Sequence, residues 1–165
     1  MNSDRLYNEF LRVTKKLNDD LEITPILYGS LGLEKVTGLT FSPQDIDILV
    51  PFRYIKPEWT TLEKKMEELG YTLVDLHEHK FLKEQFEIGF SFEEDLWPFA
   101  GIDPGQLTEK NDSGTIYRLL SANDYLKVYK RSSEDGYRRT KNNAKDFEKI
   151  HVLESIVLHN RERMQ

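Results

Sequence analysis

The segment Asp45-Ile46-Asp47-Ile48-Leu49-Val50 alternates acid with aliphatic, runs on through Leu49 and Val50, and then stops at Pro51. Alternation with period two is the pattern of a strand with one buried and one polar face. The isoleucines claim the core face, so both aspartates are forced onto the other one, with Cα atoms about 6–7 Å apart. Carboxylates that close repel unless a cation neutralises them, and hard oxygen ligands suit Mg²⁺. A pair of acids on a solvated strand face is also common, and these six residues alone leave both readings open.

The rest of the chain supplies what such a strand needs around it. Leu6, Phe10, Leu11, Val13, Leu17 and Leu21 recur at helical spacing after Ser3, the expected cap, and form a helix to lie over a sheet. Residues 23–28 are a short apolar run bounded by Gly29-Ser30 and read as a buried strand. Residues 31–44 mix glycine, threonine, serine and proline and read as loop with one helical turn at most. Pro57 is placed to open a helix carrying Trp59, Leu62, Met66 and Leu69 on one face, and Gly70 to stop it. Residues 71–76 and 80–82 read as strands. Phe86, Ile88, Phe90 and Phe92 alternate with Glu87, Gly89, Ser91 and Glu93 in a second strand with a polar face. Residues 94–113 read as an ordered loop, 115–119 as a last strand. Ser121 caps a helix through about Arg131, and a further helix runs from about Asn143 to His159. The expected class is α+β in one domain, 1–165, with a core over 1–120 and a helical tail over 121–165.

Composition narrows the partners. The 165 residues lack cysteine, which excludes disulfides and thiolate chemistry. Aromatic residues make up 12%, more burial material than a disordered chain carries. Apolar runs are only a few residues long, too short for a membrane span. The polar start reads as no signal peptide, so a cytoplasmic protein is expected. A net charge of −6 lacks the basic footprint of nucleic-acid binding. The charge is uneven, however: residues 121–150 hold eight Lys and Arg against five Asp and Glu, leaving −9 elsewhere. A basic segment beside an acidic body could hold an anionic ligand against carboxylate-bound metal, or could be a solvated helix surface.

Gly29-Ser30, at the end of a buried strand, adds a second element. A glycine lets the backbone approach a phosphate, and a serine hydroxyl with adjacent N–H groups holds its oxygens. The order helix, strand, Gly-Ser, loop, and strand with Asp45-Ile46-Asp47 resembles the nucleotidyltransferase superfamily typified by DNA polymerase β, over roughly residues 1–95. Asp124-Tyr125-Leu126-Lys127 and the segment from Lys145 to Ile150 resemble the helical tail of the branch that modifies aminoglycosides and lincosamides. The resemblance implies a mixed sheet flanked by helices. It also implies Mg²⁺-dependent transfer of a nucleoside monophosphate from an NTP to an acceptor hydroxyl, with release of pyrophosphate.

Carried over by position, Gly29 and Ser30 would hold the triphosphate, and Asp45 and Asp47 would ligate one or two metal ions. The family pattern also wants a third carboxylate on a later strand. Glu87 is the candidate by strand geometry, with Gly89 the alternative occupant of that position. Lys127 is a candidate phosphate ligand, surrounded in sequence by Lys130, Arg131, Arg138, Arg139, Lys141 and Lys145. His77-Glu78-His79 lacks a third ligand at a recognisable spacing and reads as a surface turn rather than a zinc site. Trp97 and Phe99 either line an acceptor pocket or tuck onto the core. If Gly89 replaces the third acid, the alternative is a non-catalytic module that binds nucleotide or a protein partner.

Overall fold

The computed structural model describes residues 2–134 and 136–163, those at 136–146 and 163 by their backbone alone. The first helix, α1 (Ser3–Leu21), is capped by Asn2 rather than Ser3: the Asn2 carboxamide oxygen accepts from the Asp4 and Arg5 N–H groups at 2.6 and 3.3 Å. Its face of Leu6, Phe10, Val13 and Leu17 is fully buried.

Strand β1 (Ile26–Tyr28) runs directly into helix α2 (Gly29–Thr37), where the sequence suggested loop. Two glycines in nine residues weaken helix propensity by about 1 kcal/mol each. Tertiary packing overrides that cost, because Leu31 and Leu33 are buried. Gly32 is also required sterically: a Cβ there would lie 2.7 Å from the Leu27 carbonyl oxygen and collide with the Tyr125 hydroxyl.

After β2 (Ile46–Val50) the chain turns at Pro51, and α3 (Trp59–Glu68) begins two residues beyond Pro57. Gly70, at φ +95°, ends that helix by donating its N–H to the Glu67 carbonyl at 2.9 Å. Strands β3 (Thr72–Asp75), β4 (Lys80–Lys83) and β5 (Phe86–Phe92) then form a meander.

Residues 94–113 are more ordered than a loop. They contain the short helix α4 (Leu96–Ala100), a 3-10 turn at Pro104–Gln106 and the edge strand β6 (Thr108–Asp112). β6 pairs with β7 (Thr115–Leu119) through a Ser113-Gly114 turn with both residues at positive φ, the two-residue geometry that matches strand twist. α5 (Ala122–Glu134) is capped reciprocally by Ser121 and Asp124. α6 (Gly136–Arg163) follows and starts earlier than its apolar stripe suggests.

The seven strands form one sheet in the order β3-β4-β5-β2-β1-β7-β6, parallel between β2 and β5 and between β1 and β7, antiparallel elsewhere. One face carries Leu27, Ile46, Ile48, Phe81, Ile88, Phe90 and Leu119 and is sealed by α1 and α3. The other carries Ile26 and Leu49 under a second cluster from α2, α4, α5 and α6. Asp47 and Gly89, register partners, lie on this second face. The arrangement is the expected α+β layout. Among the described residues no helix is long and apolar enough to cross a membrane.

Candidate active site

The register that pairs Tyr28 with Asp47 places the start of α2 against the polar side of β2. Gly29 sits there at φ +65°, and a Cβ on it would run into the Asp47 carboxylate. Only glycine combines that left-handed backbone with so close an approach. Tyr125, almost fully buried on α5, donates its hydroxyl to the Gly29 carbonyl at 3.2 Å. Its ring stacks between those of Tyr28 and Tyr129, at centroid distances of 6.3 and 6.1 Å. Burial holds the Tyr125 hydroxyl well above its ordinary pKa, so it stays a donor. The turn that presents Ser30 is therefore fixed from behind by a tyrosine ladder.

A cavity of about 660 Å³ opens at this point, and Gly29, Ser30 and Asp47 all line it. Burial pushes the Asp47 carboxyl up to about 7; the neighbouring charge of Asp45 adds to the shift, Lys80 opposes it, and Glu87 reinforces it. Asp45, just ahead of β2, is raised by burial and then by Glu87, again against Lys80. The three carboxylates thus share one electrostatic field. Asp45 and Glu87 do not line the cavity, and among the described residues no three His, Asp or Glu are drawn together to hold a metal ion. Directly beside Asp47 stands Gly89, whose missing Cβ would lie 3.7 Å from the Asp47 Oδ1 and 3.8 Å from the Lys80 Cγ. Glu87 is two residues earlier on the same side of β5.

Lys127 is exposed on α5 and does not line the cavity. Among the described residues of the helical tail, the lysine that does so is Lys149 of α6, with its Nζ 3.4 Å from the Ser30 Oγ and 5.0 Å from the centre of the Tyr129 ring. Counting basic residues could not single it out. Its signal was positional: Lys149 is four residues before Leu153 and next to Ile150, so it interrupts the buried stripe of its helix. The side chains of Arg138, Arg139, Lys141 and Lys145 lie outside the described residues. Phe99 lines the cavity, whereas Trp97 is 63% exposed. The His77-Glu78-His79 segment is the β3–β4 turn, as expected, yet all three residues line the cavity as well.

No family model matches the chain. The chain is 53% identical over 153 residues to the uncharacterized protein YnaI of Bacillus subtilis, covering 93% of this chain and 98% of that protein. It belongs to the YnaI family. Among solved structures, an antigenic nucleotidyltransferase-like protein from Paracoccidioides brasiliensis superposes with a TM-score of 0.65 at 18% identity, over 93% of this chain and 77% of that one. The crystal structure of ANT(2")-Ia in complex with adenylyl-2"-tobramycin superposes with a TM-score of 0.57 at 14% identity, over 95% and 98% of the two chains. The fold is that of the nucleotidyltransferases, as the Gly-Ser and paired-aspartate motifs implied.

Proposed function

We propose that the chain transfers a nucleoside monophosphate from an NTP to the hydroxyl of a small-molecule acceptor. The observation that carries this reading is the contact of the Gly29-Ser30 turn with the Asp47 carboxylate at the mouth of a 660 Å³ cavity. The similarity to ANT(2")-Ia, solved with an adenylylated aminoglycoside, supports the same class of chemistry.

Asp45 and Asp47 suit Mg²⁺, which is commonly held by one or two carboxylates together with substrate phosphates rather than by an all-protein cage. That donor set fits the two carboxylates, both raised by burial and by neighbouring acids. When bound, the ion would neutralise phosphate charge in the transition state. Ser30 Oγ and Lys149 Nζ hold the triphosphate oxygens, and Gly29 leaves the backbone open for their approach. The acceptor oxygen attacks the α-phosphorus as the bond to pyrophosphate breaks. Asp47, the raised carboxylate that lines the cavity, takes the acceptor's proton, and the charge of Glu87 reaches both aspartates. Tyr125 keeps the turn in place by holding the Gly29 carbonyl.

A second reading rests on Gly89. With a glycine beside Asp47, the chain would bind nucleotide without transferring it. Release of pyrophosphate from each of the four NTPs, in the presence of a mixed small-metabolite extract, separates the two. The transferase reading expects Mg²⁺-dependent release that Asp47→Asn abolishes; equal rates in both proteins, or none in either with nucleotide bound, would overturn it.

A further inference from the structure

A second cavity, of about 500 Å³, adjoins the first and shares Ile55, Lys56, His77 and His79 with it. Trp59 and Leu76 complete its lining. The floor is apolar: the Trp59 ring lies 4.8 Å from the His79 ring in an edge-on contact and 5.6 Å from that of Phe81. Leu76 is 60% exposed, so an apolar surface stays open to whatever enters. The ionisable groups in the lining are one ammonium and two imidazoles, and no described carboxylate faces the cavity.

The turn is built to hold this arrangement. His79 adopts a left-handed backbone, φ +54°, and accepts the Phe90 N–H at 3.1 Å, which anchors it to β5. The Asp75 carboxylate accepts the Glu78 N–H at 3.0 Å inside the turn, and Glu78 lines only the first cavity. Lys80 extends the basic wall toward Asp47.

Resting on the transferase reading above, we infer that the second cavity seats the acceptor, and that the acceptor is a small hydroxyl compound with an apolar body and an anionic phosphate or carboxylate group. Anionic oxygens take N–H donors from Lys56, His77 and His79, and the body lies on Trp59, Leu76 and Ile55. A polyamine such as tobramycin would meet Lys56 without a described carboxylate opposite in this cavity. His79 is already pushed below the usual histidine range by burial and then by Lys56 and His77, with Glu78 and Asp75 opposing them. An arriving anion reverses that balance.

The chain has four histidines, at 77, 79, 151 and 159, so a ring-proton NMR spectrum resolves the site directly. Phenyl phosphate and benzoate are titrated into the full chain, with and without a non-hydrolysable ATP analogue and Mg²⁺. The expected result is saturable movement of the His77 and His79 signals alone, a rise in the His79 titration midpoint, and at least tenfold weaker probe binding in Lys56→Ala. Unmoved signals, a response to tobramycin instead, or probe binding that the nucleotide analogue displaces would each overturn the inference. If the analogue itself fails to bind, the transferase reading fails, while the titration without nucleotide still decides whether this cavity takes anions.

Discussion

Replacing Gly29 with alanine tests the contact from which the site is built. The native φ of +65° costs a residue with a Cβ about 1–2 kcal/mol. The new Cβ would also lie 3.1 Å from Asp47 Cγ and 3.2 Å from Asp47 Cβ, with Oδ2 nearer still. Rotating the carboxylate relieves Oδ2 but not the approach to Asp47 Cβ, so overpacking adds about 1–3 kcal/mol. Gly29→Ala should therefore lose about 2–5 kcal/mol in urea unfolding with EDTA present. In a chain of this size each kcal/mol moves Tm by about 2–4 °C. Placing Gly29→Ala on an Asp47→Ala background removes the steric part and leaves only the backbone cost. The double-mutant cycle should then show a coupling of about 1–3 kcal/mol. A loss below about 0.5 kcal/mol for Gly29→Ala, or additive single variants, would refute the contact.

Asp47→Asn has a pH signature. Because Asp47 titrates at about 7 rather than its ordinary 3.8, the folded chain binds more protons in that window, and stability falls as pH rises through it. Full conversion would give ~4 kcal/mol; partial solvent access reduces it to about 2. Metal-free Asp47→Asn should thus exceed wild type at pH 8 and match it near pH 4, and urea unfolding at the two pH values showing it weaker at pH 8 would contradict this. Glu9, buried on α1, accepts Arg12 at 2.8 and 2.9 Å and the Tyr71 hydroxyl. Desolvation raises its pKa, but those donors more than offset it, so Glu9 stabilises the fold above its ordinary 4.5 and this contribution is lost as pH falls through the lowered value. Glu9→Gln should cost about 1–3 kcal/mol at pH 7 by the same assay. Lys149→Ala should weaken nucleotide binding about tenfold by calorimetry, more than Lys127→Ala does.

The parts of the fold legible in the sequence were those where burial writes a period into the residues. β5 alternates strictly and β2 does so as far as Ile48, and α1 carries its apolar face at helical spacing, so the two faces of the sheet and the side on which Asp47 stands could be read in advance. α2 was not legible because Gly29 and Gly32, needed for close approach to Asp47, Leu27 and Tyr125, erase its helical pattern. β6 was missed because Thr-Glu-Lys-Asn-Asp is an edge strand with no buried apolar residue. In the site, Gly29, Ser30 and Asp47 meet because they terminate neighbouring strands, an arrangement the motif order encodes. Lys149 depends on how a distant helix docks, and Gly89 beside Asp47 depends on strand register. Neither is fixed by any local pattern.

The central claim is that the Gly29-Ser30 turn and the paired aspartates form a metal-dependent nucleotide site. Calorimetric titration of the purified chain with ATP, GTP, CTP and UTP, with and without Mg²⁺, tests it most directly. The account predicts saturable binding of at least one nucleotide that requires Mg²⁺ and disappears in Asp45→Asn and Asp47→Asn, both of which stay folded. Absence of binding at millimolar nucleotide, or binding indifferent to Mg²⁺ and to both aspartates, would contradict it.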